Sequence, residues 1–186
     1  KRVYIEFEGV CRDYVVWVNG TYMTRHCSAY TGLVMDIRDY IKIGETNSIA
    51  VRVDVENREG WWYDGAGIYR HVNLFIAEKT HLKINKTTVK ANVDGEVFVK
   101  GIVENSDRCC KNIDTLFEIC DKNGNVIANT TVCQEFEPYS ETEITARLKM
   151  ENPILWDVEN PYLYTLKITL LGDVESIRFG VREFKF

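Results

Sequence analysis

Trp61, Trp62, Tyr63 and Asp64 stand in succession at the head of the run WWYDGAGIYRHVNL, residues 61–74. Aromatic rings offer flat apolar faces that stack on the C–H face of a pyranose, and a neighbouring carboxylate can accept hydrogen bonds from hydroxyls. A second reading competes with this one. Gly65 and Gly67 permit a turn, and Ile68, Val72 and Leu74 begin a strand, so the aromatic residues would simply pack, as Trp and Tyr commonly do when half-buried. Composition alone favours packing. Arg70 carries five fixed donors that suit a buried structural clamp between sheets or domains better than a ligand contact.

Catalytic constellations are missing from the sequence. The three histidines, His26, His71 and His81, form no HExxH pattern, and neither a GxSxG elbow nor a phosphate-binding glycine loop occurs. Carboxylates are plentiful, but glycoside hydrolysis needs two at a controlled separation, which abundance does not reveal. The cysteines at 11, 27, 109, 110, 120 and 133 follow no zinc spacing, so neither a metal nor a cofactor is expected here. The adjacent Cys109 and Cys110 suit free thiols in a reducing compartment, which leans the location towards the cytoplasm. Sequons at Asn19, Asn85 and Asn129 are read as chance occurrences, Asn19 having a turn to make with Gly20.

The elements that would hold these residues are strands. Alternation with a period of two runs through residues 14–18, 48–54, 72–76, 96–104, 113–121 and 162–170, and Val3, Ile5 and Phe7 share one face at the start. Asn19-Gly20 and Lys122-Asn123-Gly124-Asn125 are hairpin signals. Only residues 36–43, where Ile37, Tyr40 and Ile41 recur at helical spacing, suggest a short helical turn. The chain is therefore all-β.

At 186 residues, with 45% hydrophobic and 27% charged side chains, the chain can bury a sizeable core. A net charge of −5 without a basic stripe argues against a nucleic-acid partner. No apolar run reaches the roughly 18 residues of a membrane-spanning helix. The polar AEKT at 77–80 suggests a boundary between residues 1–77 and residues 78–186. The second part has the length, about 100 residues, and the roughly seven strands of an immunoglobulin-like sandwich. The first part is short for a sandwich of its own and reads as a β-domain lacking earlier strands.

Five stretches together resemble the glycoside hydrolases of family 2, which include β-galactosidases, β-glucuronidases and β-mannosidases. FEGVCRDYVVWVNG at 7–20 is similar to the hairpin region of that family's N-terminal jelly roll, and residues 26–54 are similar to its continuation. WYDGAGIYRHVNL at 62–74 resembles the family's WYPGAGIYRHVWL signature, with Asp64 where many members have Pro and Trp61 where many have Arg. PILWDVENPYLYTLKITL at 153–170 and FGVREFKF at 179–186 resemble the closing segments of its immunoglobulin-like domain.

The resemblance implies a galactose-binding-like jelly roll, in part, followed by a complete immunoglobulin-like β-sandwich. It also implies a catalytic (β/α)8 barrel C-terminal to this chain, bearing both reacting glutamates of a retaining mechanism, one of them in an Asn-Glu pair that these residues lack. The expected parent is a glycosidase of the β-galactosidase kind, acting on a carbohydrate and capable of homo-oligomer contacts. On this basis Trp61, Trp62, Tyr63 and Asp64 gain weight as substrate-facing residues at a pocket rim. Arg70 and Trp156 remain structural, Trp156 as a core anchor of the sandwich.

Overall fold

In the hairpin around residues 121–125 a polar turn separates two long stretches, Lys111–Cys120 and Val126–Phe136, whose side chains alternate in burial. The computed structural model describes residues 1–56 and 65–183, and among them every regular element is a strand. They form two units, Lys1–Ala77 and Glu78–Phe186.

The first unit holds β1 (Arg2–Phe7), β2 (Val10–Cys11), β3 (Asp13–Val18), β4 (Thr21–His26), β5 (Leu33–Asp36), β6 (Ile49–Asp54), β7 (Gly67–Ile68) and β8 (Val72–Ala77). They pair as β5-β1-β8, β4-β3-β6 and β2-β7. Val3, Ile5 and Phe7 from β1, Tyr14, Val16 and Val18 from β3, and Met35 and Ile37 make its buried core. Asn19 and Gly20, both at positive φ, close the β3–β4 hairpin.

One feature of this unit is an uncovered apolar row. Val3, Ile5 and Phe7 lie opposite Ile76, Leu74 and Val72 in the β1–β8 ladder, so all six side chains point to the same face. The β1 residues are buried, yet Leu74 and Ile76 are 61% and 59% exposed. Among the described residues β8 pairs only with β1, so its outer edge is also open.

The helical turn suggested over 36–43 is a single hydrogen-bonded turn, closed by Tyr40 N–H to Ile37 O at 3.0 Å. Side-chain amides compete with helix here. Asn47 Oδ1 accepts from Lys42 N at 2.7 Å and from Asn19 Nδ2 at 2.8 Å, while Asn47 Nδ2 donates to the carbonyls of Lys42 and Glu45. Asn19 Nδ2 also donates to Tyr40 O at 2.8 Å. That network ties the loop to the hairpin turn and gives Asn19 a structural task.

The second unit is the sandwich. One sheet runs β10 (Thr88–Ala91), β11 (Glu96–Asn105), β14 (Ser140–Lys149), with β9 (Thr80–Leu82) on the far end of β11. The other runs β13 (Val126–Phe136), β12 (Lys111–Cys120), β15 (Tyr164–Leu170), β16 (Asp173–Phe179). Strict alternation in β11, β14 and β15 sends Val97, Val99, Ile144, Ala146, Leu166 and Ile168 inward against Phe117, Ile119 and Phe136. Burying side chains of this size contributes about 1.5–3 kcal/mol each.

Buried Asn105 finishes that core. Its Nδ2 donates to the carbonyls of Cys109, Phe136 and Glu137, each at 3.0 Å, and its Oδ1 accepts from Thr80 Oγ1 at 2.9 Å and Asp107 N at 3.1 Å. One side chain thus joins β9, β11 and two loops. The six cysteines are free thiols in the structure.

Candidate active-site shoulder

Trp61, Trp62, Tyr63 and Asp64 lie outside the described residues; the segment that follows them is tied to β2. Gly67 and Ile68 pair with Cys11 and Val10 as the β2–β7 ladder, and Tyr69 N donates to Gly9 O at 3.3 Å. The Tyr69 ring lies directly on Gly9, where an added Cβ would come within 2.8 Å of Cζ, and the Tyr69 hydroxyl donates to Ala29 O. Sequence pattern alone left the role of Gly9 unread. Arg70 is exposed, with its guanidinium carbon 5.6 Å from the centre of the Tyr69 ring.

A polar cluster continues from there. Glu8 N donates to His71 O at 3.0 Å, and the Glu8 carboxylate meets His71 Nδ1 at 2.9 Å and Asn73 Nδ2 at 3.2 Å. Asn73 Nδ2 also donates to buried Glu6 at 3.0 Å. The hydrogen bond from His71, then that from Asn73, holds the Glu8 carboxyl below the usual range. A general acid needs the opposite shift. Glu6, Glu8, His71 and Asn73 were not singled out from the sequence, although polar residues two apart on each of two strands are the signal for such a cross-strand pair.

On the outer face of β4-β3-β6, Asp13, Val15, Arg25, Arg52 and Asp54 line a shallow cavity of about 280 Å³. Arg25 Nε donates to Asp13 Oδ1 at 2.7 Å while Nη2 pairs with Oδ2, and Arg52 lies 3.5 Å from Asp54. The Arg25 hydrogen bond holds Asp13 below its usual value. Both carboxylates are paired with arginines, which suits them to holding the conformation of this face. They are not poised to deliver a proton.

In the second unit Trp156 is half-buried and lies outside the central cluster. Its N–H donates to Val181 O at 2.7 Å, its Cβ rests 3.0 Å from where a Cβ on Gly180 would stand, and Arg182 sits 5.1 Å over its ring. The segment carrying it is further held by Tyr164 Oη, which accepts from Ile154 N at 2.8 Å.

Residues 1–78 match the family model for the glycosyl hydrolase family 2 sugar-binding domain, and residues 75–182 match that for glycosyl hydrolases family 2. This chain belongs to glycosyl hydrolase family 2. It is all-β, the family's sugar-binding jelly-roll domain followed by its immunoglobulin-like domain. A β-galactosidase of Thermoanaerobacter pseudethanolicus is 33% identical over 100% of the chain and 26% of that protein. One from Bacteroides ovatus is 32% identical over 97% of the chain and 22% of its own length. Among solved structures, a family 2 member from Bacteroides cellulosilyticus superposes with a TM-score of 0.95 at 33% identity, covering 100% of the chain and 27% of that protein. A β-glucuronidase of the family gives 0.93 at 25% identity, covering 99% and 22%. The chain thus spans about a quarter of the length of the curated relatives it matches.

Proposed function

We propose that these two domains are the non-catalytic shoulder of a retaining exo-glycosidase of the β-galactosidase kind. A (β/α)8 barrel C-terminal to them supplies the acid/base and the nucleophile. The observation that supports this reading most is the similarity to a β-galactosidase over the chain's whole length. Two carboxylates of the first domain agree in chemistry: Glu8 and Asp13, which flank the β2 strand that pairs with the signature segment, are held below the usual range by their hydrogen-bond partners. In this proposal Trp61, Trp62, Tyr63 and Asp64 wall the sugar pocket or pack beside it. Arg70, exposed on the first domain, clamps onto a surface outside it, and oligomer contacts of the parent use the remaining faces.

The test uses the full-length protein and a nitrophenyl β-galactoside. Glu6→Gln, Glu8→Gln and Asp13→Asn are expected to leave turnover within about tenfold of the parent. Loss of a general acid removes about 10²–10⁴-fold, well beyond that margin. Abolition by any of these three changes would refute the shoulder assignment. Proton NMR should show the first-formed sugar with its anomeric configuration retained, and an inverted product would overturn the mechanism.

A further inference from the structure

The outer face of the β10-β11-β14 sheet carries two different arrangements of charge. At one end its cations are neutralised: Lys83 pairs with Glu141 at 2.6 Å and Glu104 at 3.9 Å, and Lys100 pairs with Glu143. At the other end Lys90, Phe98 and Arg147 form a single rung across the three strands. Among the described residues neither Lys90 nor Arg147 has a carboxylate partner; Arg147 instead stands 5.8 Å over the Phe98 ring. Together with Asn92, Glu96, Lys149 and their strand neighbours they line a half-open groove of about 580 Å³. Lys90, Arg147 and Lys149 face one carboxylate there, in a chain whose net charge is −5.

The rim of this groove is fixed before any ligand arrives. Asn92 Oδ1 accepts from Glu96 N at 2.9 Å, Asn92 Nδ2 donates to Glu96 Oε2 at 3.1 Å, and Lys149 Nζ donates to Asp94 O at 2.8 Å. The turn is clamped from below by Met150 N–H to Gly95 O at 2.8 Å. Glu96 is thereby engaged with Asn92, and the two unpaired cations flank a phenyl ring that is 37% exposed. A free phosphate would use the cations and leave the ring idle. A sugar bearing a carboxylate uses both, because its C–H face stacks on the ring while its carboxylate pairs with the guanidinium.

We infer that this groove on the immunoglobulin-like domain binds an acidic saccharide, a glycan carrying uronic-acid residues, with Arg147 and Lys90 taking the carboxylate and Phe98 the ring. The test titrates the full-length protein with tetragalacturonate by calorimetry at low salt, beside a neutral galactose tetrasaccharide and a tetraglutamate peptide. Tetragalacturonate is expected to bind, weakening as salt rises, and the other two are not. Arg147→Gln with Lys90→Gln should lower that affinity about tenfold or more, the scale of a lost charge-assisted contact. Phe98→Leu should lower it while preserving the strand, and all variants should hydrolyse nitrophenyl glycoside at the parent's rate, which separates this groove from any sugar pocket elsewhere in the protein. Equal binding of the neutral sugar, binding by tetraglutamate instead, absence of tetragalacturonate binding, or indifference to the double substitution would each overturn the inference.

Discussion

Replacing Gly95 by Ala tests how the second domain is held together, and the comparison with Gly124 makes the test quantitative. Both glycines sit in turns at nearly the same positive φ, 86° and 88°. An L-residue in that region costs about 1–2 kcal/mol at either site. Their surroundings differ. A Cβ at position 124 meets nothing within 4 Å, whereas at position 95 it would stand 2.3 Å from Met150 O and 3.2 Å from Met150 C. Backbone atoms cannot rotate away as a side chain would, so the turn must move off Met150 and stretch the Met150 N–H to Gly95 O bond. Disrupting a buried backbone bond adds about 1–3 kcal/mol, which brings Gly95→Ala to about 2–5 kcal/mol in all. Each kcal/mol lowers Tm by about 4–8 °C for a domain near 100 residues. Calorimetry should therefore show the second domain's transition falling by about 10 °C or more for Gly95→Ala and by about half that or less for Gly124→Ala. The entropy that Ala removes from the unfolded chain is common to both variants and cancels in the difference. Equal shifts would refute the steric account.

Two further outcomes follow from buried polar groups. Asn105→Ala should destabilise the second domain by about 3–5 kcal/mol in chemical denaturation, since Thr80 Oγ1 and the carbonyls of Phe136 and Glu137 lose their partner together; a cost under about 1 kcal/mol would show that the network is dispensable. Burial raises the Glu175 carboxyl above its usual value of 4.5, outweighing the hydrogen bond from Thr87 at 2.9 Å. The folded state then binds more protons than the unfolded state just above that value, so this group's contribution to stability is full below it and is lost as pH rises through the raised value. Glu175→Gln should accordingly raise Tm at pH 7 and leave it nearly unchanged at pH 4, and an equal gain at both would reject the ionisation argument.

Strand positions were legible where one face is buried and the other is polar. Residues 48–54 and 96–104 correspond to β6 at Ile49–Asp54 and β11 at Glu96–Asn105, and the Asn19-Gly20 turn sits between β3 and β4. Alternation was faint in β13, an edge strand whose inward row runs through Ala128, Thr130 and Val132, so small and polar residues blur the contrast. Residues 162–170 begin two positions too early because Tyr162 N bonds Asn160 O in a turn, and β15 starts at Tyr164. The loop over 36–47 defeated helical periodicity because its stability comes from Asn19 and Asn47, far apart in sequence from one another. The cross-strand cluster of Glu8, His71 and Asn73 and the groove at Phe98 depend on register between distant strands, which periodicity within one segment does not encode.

The bare row on β8 has a practical outcome for anyone who would weigh sugar affinity on the first domain alone. Leu74 and Ile76 make an adhesive hem beside an unzipped backbone edge, and two such hems from separate molecules can meet and laminate. Preparations of that piece would then report clumping in place of recognition. Swapping Leu74 and Ile76 for threonine keeps the strand's preference for extension and removes the glue, which makes a cleaner reagent. The same swap inside the longer protein would show whether something apolar ordinarily lies against that hem.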